Sequence, residues 1–289
     1  MADCQIIENL AEISDGYDAI FCDLWGCFHN GIEVYPAAVA ACQGFRERGG
    51  TVILLTNAPR PEDSVERMLI NRMGAPRDSW DAIVSSGGAC QAALTGGQFG
   101  TRFLYVGPDR DLHMLQDVGL TPAAEDDAEA ILITGLRDDM TEKPEDYAEE
   151  ITRWASRGLP MLCANPDIVV DRGEERLWCA GAIARDYEIA GGNVTWYGKP
   201  HQPVYERCRA VLAEQRGQAI PDARILAIGD GIATDVPGGL AAGLDTLFVT
   251  GGLSGDLFGP DVEAPEPIAL NTYLDEQNLS PQFGIGRLR

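Results

Sequence analysis

Short apolar runs alternate with segments of helical period along most of this chain. "YDAIFCDL", "TVILLTN" and "DAIVSSGG" read as buried strands, each a run of apolar or β-branched residues ending in turn formers. Between them, "PAAVAACQGFRERGG" opens on Pro36 and closes in glycines, as a helix should, and "PEDSVERMLINRMG" and "GACQAALTGG" repeat helical period. Strands alternating with helices predict a parallel sheet covered on both faces.

The rhythm restarts near residue 101. "TRFLYVG", "AEAILITGL" and "LPMLCANP" read as strands, and "RDLHMLQDVG", "KPEDYAEEITRWASRG" and "CAGAIARDYEIAGG" as helices. "VTWYGKP", "ARILAIGDG" and "DTLFVTGG" then return to short apolar strands that end in polar, glycine-rich turns. The tail from about Leu253 carries only weak strand and helix signals. The order reads as one sheet domain interrupted by a second α/β unit.

In open parallel sheets ligands bind at the carboxyl ends of the strands. Those ends carry Asp23, then Thr56 and Asn57, then Lys199, then Asp230 with Asp235 about a helical turn further on. Each alone is commonly a turn residue. Together, placed by one sheet, they form a specific set of carboxylate, hydroxyl, lysine and acid pair. The set suits phosphoryl transfer with Mg²⁺, which takes oxygen ligands and is usually held by one or two carboxylates plus phosphate and water. Asp23 and Asp230 are the candidate carboxylates, and Thr56 and Lys199 are candidates for the phosphate oxygens. Asp23 can attack phosphorus to form an aspartyl-phosphate that water then hydrolyses.

Charge sharpens this reading. The 289 residues carry 45 acids against 22 Lys and Arg, a formal net charge of −23. Such a surface repels nucleic acid and anionic lipid, so neither is an expected partner. It also repels anionic substrates unless a bound cation inverts the local field. No apolar run is long enough to span a bilayer, and "MADCQIIENLAEI" lacks a basic segment followed by an apolar one. Eight cysteines without a C-x-x-C pair read as the reduced thiols of a cytoplasmic protein, with Cys27 inert in the loop after Asp23. No G-x-G-x-x-G follows the first strand, which argues against a NAD-dependent oxidoreductase.

"FCDLWG", "LLTN", "GKP" and "GDGIATD" resemble, in order and spacing, the four motifs of the haloacid dehalogenase superfamily. The insertion between "LLTN" and "GKP" resembles the α/β cap, C2 type, of class IIA, the branch of nucleotide and p-nitrophenyl phosphatases. "ANPD" at 164 to 167 resembles a cap-to-core segment of that branch. The resemblance implies a Rossmann-like core over 1–98 and 192–289 with an inserted cap over 99–191. It implies a small phosphorylated metabolite as substrate, Mg²⁺ held by Asp23, Asp230 and the main-chain carbonyl of Trp25, and Asp235 in the outer shell of the metal. Asn165 and Asp167 are expected to face the substrate, and a second copy of the chain is a candidate partner. The charged residues Arg172 and Glu175 are expected in a solvated hairpin, Trp154 and Trp196 in the core, and "SSGG" at 85 to 88 in a turn into a helix.

The family pattern reads Asp-x-Asp, its second acid protonating the leaving alkoxide and then activating water. Here Trp25 stands in that place, and an indole offers one weak N–H donor. Three answers stay open. Turnover is slow or limited to good leaving groups; another group donates the proton, His29 by virtue of a pKa near neutrality or Asp167 from the cap; or the protein binds a phosphorylated ligand and barely turns it over.

Overall fold

The computed structural model describes residues 4–172 and 175–289. In chain order the elements are β1 (Gln5–Ile6), β2 (Ala19–Asp23), α1 (Pro36–Glu47), β3 (Thr51–Thr56), α2 (Glu62–Met73), β4 (Ala82–Ser85) and α3 (Ser86–Thr95). There follow β5 (Phe103–Val106), α4 (His113–Gln116), β6 (Ala130–Ile133), α5 (Ala148–Arg157), β7 (Met161–Cys163), β8 (Val169–Arg172), β9 (Glu175–Trp178) and α6 (Ala180–Ile189). The chain ends with β10 (Val194–Trp196), α7 (Gln202–Arg216), β11 (Ile225–Gly229), α8 (Asp235–Ala241), β12 (Asp245–Val249), α9 (Pro267–Gln277) and β13 (Phe283–Ile285).

Two compact units result. The first takes Met1–Thr56, Glu66–Val84 and Tyr205–Arg289. Its strands lie in the order β1-β13-β12-β11-β2-β3-β4. The registered pairs are parallel. Every residue of β2, β3 and β11 is buried, which is why these strands read as unbroken apolar runs rather than as alternating ones. Helix α1 starts at Pro36, where a missing N–H costs nothing, and the chain turns back at Gly49 with φ +87°.

The second unit takes Asn57–Val65 and Ser85–Val204. Its parallel sheet runs β10-β7-β6-β5, beside an antiparallel hairpin of β8 and β9. One core packs Trp154, Tyr147, Tyr187 and Ile133, and another packs Phe103, Met114, Leu132 and Tyr197. Helix α5 ends at Gly158 in the left-handed conformation that caps helices. "SSGG" is a helix start: Ser85 Oγ accepts the Gly88 N–H at 2.9 Å as N-cap of α3.

The Rossmann-like α/β class is as expected, but three details differ. "VTW" does not join the sheet that holds Asp23. Its residues pair with Met161, Leu162 and Cys163 in the second unit's sheet, because half-buried Val194 and Trp196 pack on the Trp154 core. Apolar period reveals that a segment is a strand, not which sheet accepts it. The C-terminal tail holds α9 and β13, the latter three residues with a central glycine inserted between β1 and β12. Trp196 is a half-buried ring stacked on His201 at 5.3 Å, donating its indole N–H to Glu188 at 3.1 Å, while Trp154 is wholly buried. The backbone around Arg172 and Glu175 forms the expected hairpin, though residues 173–174 and both of those side chains lie outside the described set. Among the described residues no helix is long and apolar enough to cross a membrane.

Candidate active site

Strand register assembles the first group. β2 pairs with β11 from Ala19↔Ile225 to Cys22↔Ile228, so the next step sets Asp23 beside Gly229 with Asp230 one residue beyond. On the other side Asp23 pairs with Leu55, with Thr56 one residue beyond. Three neighbouring parallel strands therefore deliver Asp23, Thr56 and Asp230 to one sheet edge, all buried. A carboxylate oxygen of Asp23, one of Asp230 and the Sγ of Cys27 lie within 4.8 Å of one another.

Two glycines make room for this cluster. A Cβ on Gly26 or on Gly252 would overlap the Asp230 carboxylate, and Gly26 sits at φ +81°, where side chains are strained. The Leu253 N–H donates to Asp230 Oδ2 at 2.8 Å, so the loop after β12 helps hold that carboxylate. Asp235 opens α8, and its Oδ2 accepts from the Gly231 N–H at 3.1 Å and the Thr234 hydroxyl at 3.2 Å. It braces the turn that follows Asp230. The donor set fits a magnesium ion, since Asp23 and Asp230 offer hard carboxylate oxygens at one buried point.

The turn after β2 folds tightly on itself. The N–H groups of Phe28 and His29 both donate to Leu24 O, at 2.8 and 2.9 Å, and the Gly26 N–H donates to His29 O at 2.9 Å. The Trp25 ring leans back over its own loop: it meets His29 edge-on at 5.4 Å and fills the space where a Gly31 side chain would stand. His29 is buried, and its Nδ1 accepts the Gly31 N–H at 2.9 Å. Burial pushes its pKa down to about 4. The expectation that His29 titrates near neutrality therefore does not hold, because loss of hydration disfavours the charged ring. At neutral pH the imidazole is uncharged, with its proton on Nε2.

The second unit gathers Asn57, Asn165, Asp167 and Lys199. Lys199 donates its main-chain N–H to Asn57 Oδ1 at 2.7 Å. Asn57 Nδ2 donates to Lys199 O at 3.1 Å and to Asp167 Oδ1 at 2.8 Å. Asn165 Oδ1 accepts the Asp167 N–H at 3.1 Å. Asn57 follows Thr56 directly in the chain.

Cys27, expected to be an inert thiol in the loop after Asp23, lies in the ligand cluster. Sequence reasoning overlooked the loop after β12. Gly252 and Leu253 border Asp230 from the loop after β12, and the signal for them was the glycine pair that closes "DTLFVTGG".

Comparison with known proteins agrees. Residues 20–121 match the sequence profile of the haloacid dehalogenase-like hydrolases, and residues 196–272 match a HAD-hydrolase-like profile. A crystal structure of a hydrolase of the haloacid dehalogenase-like family from Brucella suis is 38% identical, covering 98% of this chain and 100% of that one with a TM-score of 0.86. Ribonucleotide monophosphatase NagD of Escherichia coli K12 is 26% identical over 81% of this chain and 88% of its own. D-glycerol 3-phosphate phosphatase of Mycobacterium tuberculosis is 28% identical over 92% of this chain and 71% of its own. The chain belongs to the haloacid dehalogenase-like hydrolases, in the class IIA phosphatase branch. It is a phosphohydrolase.

Proposed function

We propose that the protein hydrolyses a small phosphate monoester in a Mg²⁺-dependent reaction, with Asp23 as nucleophile. The observation that carries this is the pair of buried carboxylates, Asp23 and Asp230, brought within 4.8 Å at the ends of adjacent parallel strands. The names of the relatives, a ribonucleotide monophosphatase and a glycerol 3-phosphate phosphatase, support a small phosphorylated metabolite as substrate. In this reading the inserted cap takes residues 99–191 and the strand Val194–Trp196 that joins its sheet, the rest is core, and a second copy of the chain is the candidate protein partner. Eight buried cysteines outside any disulfide support a reducing, cytoplasmic setting.

In this mechanism Thr56 and Lys199 bind phosphate oxygens, with Asn57 fixing the Lys199 main chain and Asn165 and Asp167 bordering the substrate. An Asp23 oxygen attacks phosphorus, the P–O bond to the leaving group breaks, and the phosphoryl group passes to Asp23. Water then attacks the aspartyl-phosphate and releases inorganic phosphate, restoring the carboxylate. Asp23, Asp230 and the Trp25 carbonyl would hold magnesium directly and Asp235 would support it from its outer shell; the bound ion would neutralise charge on the phosphate. The leaving group gets no help from an acid at position 25. The His29 imidazole is neutral at the relevant pH, which makes it a weak donor. Substrates with good leaving groups are accordingly favoured.

The test is phosphate release from a panel of esters with and without Mg²⁺, run beside Asp23→Asn. Metal-dependent release that Asp23→Asn abolishes supports the reading, and an active Asp23→Asn protein ends it. Trp25 favours one second reading, a phospholigand-binding protein with little turnover. Thermal stabilisation by Mg²⁺ plus phosphate, without release from any ester, is its signature.

A further inference from the structure

The turn that places Trp25 also buries a thiol against the two carboxylates. Cys27 is 1% exposed, Asp230 2% and Asp23 7%, and one ligand atom from each lies within 4.8 Å of the others. The backbone fixes the thiol there: Cys27 sits between Gly26, bonded to His29 O, and Phe28, bonded to Leu24 O. Magnesium gains little from sulfur, being a hard cation that takes oxygen ligands. Zinc takes thiolate and carboxylate together, and binds divalent sites more tightly than the metals before it in the first-row series apart from nickel and copper. On a tetrahedral zinc, a sulfur and an oxygen ligand stand roughly 3.5 Å apart. The seven other cysteines are also buried, but among the described residues none joins a comparable group of metal-ligating side chains.

We propose that Cys27, Asp23 and Asp230 form a three-ligand site for a thiophilic divalent cation, zinc in particular, which competes with magnesium for the two carboxylates. Binding takes the sulfur as thiolate, its proton passing to solvent. The competition with magnesium rests on the phosphatase reading, while the zinc site itself does not. Zinc held there displaces the magnesium that the phosphatase reading requires, so it suppresses phosphate release.

Metal-stripped protein titrated with Co²⁺, a spectroscopic substitute for zinc, tests this. The expected result is a thiolate-to-cobalt charge-transfer band in the near ultraviolet that zinc abolishes at stoichiometric amounts. Cys27→Ser is expected to lose the band and about tenfold or more of the zinc affinity measured by competition. Its magnesium affinity, which depends on oxygen ligands, is expected to change far less. Cys27→Ala replaces Cys27→Ser if circular dichroism shows that the serine variant is unfolded. No band in the native protein, a band that survives in the variant, or unchanged zinc affinity overturns the proposal. A band in a protein that releases phosphate from no ester removes the phosphatase reading and leaves the zinc site standing. Magnesium-dependent release without a band does the reverse.

Discussion

Asn57 holds Lys199 by both faces of its main chain: Oδ1 accepts the Lys199 N–H at 2.7 Å, and Nδ2 donates to the Lys199 carbonyl at 3.1 Å. The same Nδ2 reaches Asp167 at 2.8 Å. One amide thus serves three buried or half-buried groups, and Gly198 leaves it room, since a Cβ there would come within 2.7 Å of Asn57 Oδ1. Asn57→Ala is expected to cost about 2–4 kcal/mol, because each buried group losing its partner costs about 1–3 kcal/mol. Asn57→Asp keeps the acceptor for the Lys199 N–H but replaces the donor facing Lys199 O and Asp167 with a second carboxylate, so it recovers at most that one bond. Urea unfolding checks both, and a cost below about 0.5 kcal/mol for Asn57→Ala, less than one ordinary hydrogen bond, contradicts the account.

The glycines beside Asp230 lead to a second expectation. Gly26→Ala suffers both a positive φ and overlap with the Asp230 carboxylate, and Gly252→Ala suffers the overlap. Either displaces the carboxylate, so magnesium affinity by calorimetry should fall about 10-fold or more, as it does when a supporting group around a metal site is lost. Gly16→Ala, at a glycine whose Cβ would meet nothing within 4 Å, is the control and should bind as the native protein does. Equal binding by all four proteins would show that Asp230 does not depend on this cradle.

Trp25→Asp restores an acid where the family pattern carries one. If proton transfer to the leaving group limits the reaction, this variant should speed alkyl ester hydrolysis by about 10²–10⁴-fold, the usual worth of general acid catalysis, and aryl esters far less. The change also removes the ring that covers Gly31 and meets His29, so some loss of stability accompanies it. The ratio of alkyl to aryl kcat separates the two effects. An unchanged ratio in a folded variant would show that another step limits the native enzyme.

His201 supplies a pH dependence. Its ring stacks on Trp196, and burial lowers its pKa from the ordinary value of 6.5, with Glu188 opposing more weakly. The unfolded chain therefore binds this proton more readily than the folded one. Stability contributed by the neutral ring is present above the ordinary imidazole pKa and declines as pH falls through and below it. His201→Gln should flatten that part of the profile, and the loss of the ring stacked on Trp196 should lower stability about equally at every pH. Denaturant midpoints across this range check the slope.

Much of the fold was readable because parallel strands buried on both faces leave long apolar runs, as "AIFCD" and "TVILLT" do. β13 was not readable, since three residues with a central glycine carry no period of their own and become a strand only between β1 and β12. The strand before Lys199 was readable as a strand but not as a member of its sheet. The side chains that decide its partner, Ile133 and Trp154 among them, lie well before it in the sequence.

The residues at the strand ends have the same double character. Asp23, Thr56, Lys199 and Asp230 stood out in the chain because each follows an apolar run, and that depends only on local pattern. Whether Asp23 meets Asp230 depends on the register between β2 and β11, about two hundred residues apart in sequence, which hydrogen bonding and burial set together. The protonation of His29 and the company of Cys27 likewise come from the fold alone. Sequence names a histidine and a thiol, but only burial removes the water that would keep the one titrating near neutrality and brings the other up to two carboxylates.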